Sequence, residues 1–137
     1  MQKMSFPHER RRVILAAMTA IDPSRDSRRV FVQRSPGVEI SVLRVHPDGG
    51  LTFFVRMQQG ARAERHGHPG GEETYVVSGQ LHLDRRVDAA GEPRPDLVLR
   101  AGDHLFAPPG EVHEGIADLD TTLYVIAPGG ILRVPAA

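Results

Sequence analysis

The chain has 137 residues, 40% hydrophobic and 25% charged, with seven His, 14 Gly, 11 Pro and no cysteine. That length suits one domain with one core, and the composition excludes a disordered chain, a collagen repeat, disulfides, thiolate zinc sites, iron–sulfur clusters and a Cys nucleophile. Formal charge is zero, yet up to Arg34 eight basic residues (Lys3, Arg10, Arg11, Arg12, Arg25, Arg28, Arg29, Arg34) face only three acids (Glu9, Asp22, Asp26).

The first segment reads as a helix. Ser5 can cap it, Pro7 suits its first turn, and Val13, Ile14, Ala17, Met18 and Ile21 recur at helical spacing until Asp22-Pro23-Ser24 ends it. The apolar stretch Val13–Ile21 is broken by Thr19 and is too short to span a membrane. It also lacks a cleavage site, so the expected compartment is cytoplasmic, with no membrane partner. The arginines have few aromatics between them and no base-reading motif. They are read as a solvated arm packing on an acidic body or a neighbouring subunit, not as a nucleic-acid arm.

Beyond the arm the texture changes to short β-rich runs separated by Gly and Pro turns. The expected strands are Val30–Gln33, Val38–Val45, Leu51–Met57, Glu64–His66, Thr74–Ser78, Gln80–Leu83, Leu97–Arg100, His104–Ala107, Val112–Ile116, Thr121–Ile126 and Ile131–Val134. Pro47-Asp48-Gly49-Gly50 is a hairpin turn, and Ser78-Gly79 and Ala101-Gly102 are further tight turns. Asp88 to Asp96 reads as a polar, Pro-rich, mobile loop. Many short strands in one domain mean an all-β sandwich or barrel.

The chemistry concentrates between Gly60 and Glu73. His66 and His68 are two residues apart, and on a strand they project from one face toward one cation. Pro69-Gly70-Gly71 can turn the chain so that Glu72 returns to the same point. Two His and one carboxylate form a recognised ligand set for first-row metals. His113, entering its strand from the stiff Pro108-Pro109-Gly110 turn, is the best fourth donor. Glu73 has the opposite parity and is read as an orienting or solvated carboxylate. His8, His46, His82 and His104 lie outside the ligand spacing and are read as surface or hydrogen-bonded. There is no phosphate loop and no nucleophile elbow, and Lys3 is the single lysine, which argues against Schiff-base chemistry.

These residues resemble the cupin superfamily. Gly60, His66, His68, Glu72 and Gly79 fit the pattern G-x5-H-x-H-x3-E-x6-G with every spacing kept. Gly102, Pro108, Gly110 and His113 fit G-x5-P-x-G-x2-H-x3-N, with Ala117 in place of the last Asn. More narrowly, His68-Pro69-Gly70-Gly71-Glu72-Glu73 and Pro36-Gly37-Val38 are similar to the cupin domain of ChrR-type zinc anti-sigma factors. A sigma-factor role is not carried over, because the leading arm has one His and no Cys. The resemblance implies a double-stranded β-helix, the RmlC-like jelly-roll barrel of six to eight strands. It would occupy residues 30–137, after an N-terminal helix and basic arm over residues 1–29. It implies one divalent metal on His66, His68, Glu72 and His113, and a homodimer.

The metal is Zn, Fe, Mn or Ni by donor chemistry. Tetrahedral zinc would be closed by four protein ligands, whereas an octahedral ion would keep two positions for substrate and oxygen or water. The implied function is therefore a metal-binding cupin. As an enzyme it would act on a small oxygen-rich organic molecule, with dioxygenase chemistry first and isomerase or lyase chemistry second. The rival reading is a non-catalytic zinc or small-molecule sensor. Arg56, Tyr75, Phe106 and Tyr124, with Phe53 or Phe54, are the candidates for the substrate-binding wall; Arg56 could clamp a carboxylate if it turned inward.

Overall fold

A computed structural model describes residues 29–135, so the expected helix and most of the arm lie outside the described residues. The chain forms β1 (Val32–Ser35), β2 (Val38–Val45), β3 (Leu51–Met57), β4 (Arg62–Gly67), β5 (Glu72–Ser78) and β6 (Gln80–Val87). It continues through β7 (Pro93–Arg94), β8 (Leu97–Arg100), β9 (His104–Ala107), β10 (Val112–Ala117), β11 (Thr121–Ala127) and β12 (Leu132–Arg133). One sheet runs β1-β2-β3-β11-β5-β9, the other β12-β4-β10-β6-β7 with β8 also on β6. The seven strands paired on both sides (β2, β3, β4, β5, β6, β10 and β11) match the expected jelly roll of six to eight strands. The edge strands β1, β7, β8, β9 and β12 extend it.

Alternation builds the core. In β11, Thr121, Leu123, Val125 and Ala127 are buried while Thr122, Tyr124 and Ile126 are less so, the two-residue period of a strand with one covered face. Phe53, Val55 and Met57 of β3 and Leu81 and Leu83 of β6 pack into the same core. Gly79, between β5 and β6, has φ 89° and its backbone lies against Asp120 O, so a side chain here would meet both a strained backbone and a clash.

Two features depart from the expected pattern. The loop expected over Asp88–Asp96 contains β7, which pairs with Arg86 and Val87 of β6. Its turn is held by Asp88 Oδ1, which accepts from Ala90 N at 2.9 Å and Glu92 N at 3.0 Å. The segment is thus a built hairpin: the Asp88 carboxylate satisfies the backbone donors that a loose loop would leave to water.

The second feature is a pair of β-bulges flanking β10. On β4, Glu64 and Arg65 oppose the single residue Glu114, between the pairs His113↔His66 and Gly115↔Ala63. On β6, Arg85 and Arg86 oppose the single residue His113, between Val112↔Val87 and Glu114↔Asp84. An extra residue inverts the in–out alternation downstream of it. Ala63 therefore packs against the core before one bulge, and His66 turns toward the barrel interior after it. At the other bulge Arg85 takes φ 49° and stays outside, while Arg86 is buried.

Candidate metal centre

His66, His68, Glu72 and His113 converge as the motif spacing implies. Each offers one ligand atom, and these atoms lie within 4.8 Å of one another. His66 comes from the end of β4 and His68 from the connection to β5. The turn after His68 is closed by Gly71 N donating to His68 O at 2.9 Å. Gly70 and Gly129 pack backbone to backbone, where a Cβ on either would overlap the other. That contact fixes the path that delivers Glu72 to the start of β5. His113 enters β10 from the Pro108-Pro109-Gly110 turn, closed by Glu111 N donating to Pro108 O at 3.1 Å.

The donors are arranged by their neighbours. His66 Nδ1 lies 2.6 Å from Glu64 O in the β4 bulge. A carbonyl can only accept, so Nδ1 carries the proton and the Nε2 lone pair is left free. Glu72 is 5% exposed, with Oε1 3.0 Å from His113 Nε2 and Oε2 2.9 Å from His68 Nε2. Thr74 Oγ1 donates to Oε2 at 3.3 Å. His113 Nδ1 meets Glu111 Oε2 at 2.9 Å, and Glu111 Oε1 accepts from Arg86 at 2.9 Å. Arg86 in turn donates to Pro95 O, beside the β7 hairpin, at 2.7 Å. The result is a buried chain of alternating charge, Arg86–Glu111–His113–Glu72.

His68 tests whether a cation fits. Its ring is 3% exposed, and despite the short distance to Glu72 neither nitrogen has a hydrogen-bond partner. The 2.9 Å approach is close but out of hydrogen-bonding alignment. Such an orphan costs about 1–3 kcal/mol when buried. A cation accepting the ring's lone pair would remove that cost at one of the two nitrogens. Three imidazoles and a carboxylate suit the borderline first-row ions.

Electrostatics follow from the same contacts. Burial, with the adjacent His113 adding to it, pushes the His66 imidazole down to about 4, so it is neutral at pH 7. Burial works against an ionised Glu72, but the hydrogen bond to His113 and the nearby His68 ring outweigh it and hold the carboxyl well below its usual range. Burial likewise opposes the imidazolium of His113, yet the hydrogen bond to Glu111 and the Glu72 carboxylate 3.0 Å away prevail and raise it to about 9. Without metal, His113 therefore keeps its proton at pH 7. That proton stabilises the metal-free fold below the ordinary value of 6.5, and the benefit is lost as pH rises through about 9. Metal affinity runs the opposite way, since ligation needs neutral imidazole. Loading at pH 7 is expected to release about one proton per metal, read by titration calorimetry in buffers of different ionisation enthalpy. Zero release would mean that His113 is not displaced from its proton by the ion.

The quartet opens on a cavity of about 300 Å³ inside the barrel. None of the four residues expected to form a substrate wall lines it. Arg56 faces outward, ion-paired to Glu39 at 2.7 Å, with its guanidinium carbon 3.9 Å from the centre of the Phe31 ring. Tyr75 and Phe106 are 46% and 58% exposed on the outer face. Tyr124 packs edge-on against Phe54, with ring centroids 5.6 Å apart. The reason is parity: Phe53, Val55, Thr74, Leu105, Leu123 and Val125 take the inward positions of those strands. Among the histidines set aside, His46 bonds Thr52, His82 bonds Asp96 and His104 bonds Glu73. The residues that sequence reasoning passed over are Glu111 and Arg86. Glu111 had a signal, since it lies two residues before His113 and shares its parity. Arg86 had none, because its inward turn depends on the Arg85 bulge.

A double-sheet barrel with this quartet in its wall defines a cupin. The family model described as the ChrR cupin-like domain matches residues 24–131, and the chain belongs to that family. A search of curated proteins finds no match. Among solved structures, an RmlC-like cupin from Shewanella frigidimarina is 24% identical with a TM-score of 0.60, covering 74% of this chain and 85% of that one. KdgF from Halomonas sp. is 21% identical with a TM-score of 0.58, covering 79% and 92%. An oxalate decarboxylase is 18% identical with a TM-score of 0.62 over 77% of this chain and 30% of its own. At these identities the likenesses speak for the fold alone. No helix among the described residues is long and apolar enough to cross a membrane.

Proposed function

We propose that this cupin is a metal-dependent enzyme acting on a small oxygen-rich organic molecule, with dioxygenase-type chemistry. The observation that carries the reading is the cavity: the four donors line an open-mouthed, mostly apolar space large enough for a small ligand, rather than being sealed in packed core. When bound, a divalent ion would supply Lewis acidity and a template for oxygen ligands. The chain's own contribution is to orient the donors and to line the space. The Glu64 carbonyl sets the His66 ring, Glu111 sets His113, and Leu and Val side chains supply apolar wall.

A second reading, a non-catalytic zinc or small-molecule sensor, is favoured by the ChrR cupin-like family match. Elemental analysis of protein purified without added metal, followed by oxygen-uptake assays with diketones and catechols, separates the two. The enzyme reading expects a redox-active ion and oxygen consumption with at least one substrate. Bound zinc with no oxygen uptake across the panel would assign the sensor instead.

A further inference from the structure

The cavity has two chemically different ends. Of the lining residues, those that are buried include the apolar Phe53, Val55, Met57, Leu105, Leu123 and Val125, which stand beside Thr74 and the ligands His68, Glu72 and His113. Those that are exposed or part-exposed mark the mouth, and there the lining is cationic: Arg34, Arg65 and Arg133, with Glu64 as the acid. Arg133 is taken up by Glu64 at 2.9 Å. Arg34 and Arg65 have no ion-pair or side-chain hydrogen-bond partner among the described residues, and Arg65 Nε is buried without an acceptor. Arg65 is the residue that the β4 bulge inserts immediately before His66. Arg65 thus lines the same space as the metal donors. Guanidinium groups without a partner at a cavity mouth reward a ligand that brings an acceptor to their accessible nitrogens.

We infer that the cavity takes a small monocarboxylic acid with an apolar body, its carboxylate received by Arg65 and Arg34 at the mouth and its body lying on the Phe53–Leu105–Val125 floor. The assignment rests on the enzyme reading only for its purpose; the recognition itself uses residues outside the metal quartet. A guanidinium fork matches a carboxylate's two oxygens. Apolar burial of the body adds affinity that a bare anion cannot gain. A neutral ligand would leave the Arg65 donor charge unmatched. A second charge on the body would lie against the apolar Phe53, Leu105 and Val125 side chains.

The probes are hexanoate, its neutral isostere hexanamide, and acetate, titrated calorimetrically into the full chain loaded with zinc, with zinc content measured on every sample. Hexanoate is expected to bind at least about tenfold more tightly than either hexanamide or acetate. Arg65→Gln and, separately, the exposed Arg34→Gln are each expected to weaken hexanoate about tenfold or more, to leave hexanamide unchanged and to keep zinc content equal to wild type. Arg65→Lys is expected to fall between, as it keeps the charge but loses the fork. Equal binding of hexanoate and hexanamide, or hexanoate binding untouched in both Gln variants, overturns the assignment whether or not zinc is held. A hexanoate preference that survives in protein holding no zinc sustains the assignment and removes the metal reading instead, so the two can fail separately.

Discussion

His113→Ala is expected to lower metal affinity by more than about a hundredfold, because loss of an outer-shell partner alone commonly costs 10–100-fold and this change deletes a donor. His113 is 1% exposed and stands where three strands meet, β10 pairing with β4 on one side and β6 on the other. Its loss leaves Glu72 with one imidazole neighbour at 2.9 Å rather than two. His66→Ala is expected to act in the same direction. The comparison that gives the result its meaning is His104→Ala. That residue is also a His beside a Glu, at 3.2 Å from Glu73, but on the outer face. Metal content there should match wild type, with titration by a fluorescent chelator in competition as the measurement. Equal losses in His104→Ala and His113→Ala would show that the effect is unspecific.

Arg86→Met is expected to destabilise the metal-free protein by about 3–5 kcal/mol, since it removes one partner of a buried ion pair and strands the other. Arg86 is 8% exposed and Glu111 4%, at 2.9 Å. After the change Glu111 would keep only His113, and Pro95 O would lose its donor. The double variant Arg86→Met with Glu111→Leu should recover much of the stability, because no uncompensated charge remains. Yet it should bind metal about 10–100-fold more weakly, because Nδ1 of His113 then has no acceptor to orient the ring. Urea denaturation reads the first effect and metal titration the second. A single variant losing under about 1 kcal/mol would show that the pair is solvated rather than buried.

The metal quartet was legible in the sequence because its geometry is encoded locally. Two His with one residue between them, a Pro-Gly-Gly turn and a Glu constrain one another within seven positions, and Pro108-Pro109-Gly110 announces the fourth ligand. The strands were legible for the same reason, as turns and alternation are short-range. What failed was parity. Reading Arg56, Tyr75, Phe106 and Tyr124 as a substrate wall required knowing which face of each strand turns inward, and alternation alone gives two equivalent answers until one position is anchored. Phe53 could have anchored β3, and Thr74, two residues after Glu72, could have anchored β5. The bulges at Glu64–Arg65 and Arg85–Arg86 were not legible. Neither contains a glycine, and Arg85 adopts φ 49° because the tertiary structure holds it there. Those two bulges decide that Arg65 reaches the cavity and that Arg86 supports Glu111.

X-ray absorption at the metal edge, on full chain loaded with one equivalent of zinc, tests the central claim most directly. Three imidazole nitrogens and one carboxylate oxygen from the protein are expected around a single ion, with one nitrogen lost in His113→Ala. Zinc that binds with only water and exposed carboxylates in its shell, or a shell unchanged by His113→Ala, would contradict a centre built from His66, His68, Glu72 and His113.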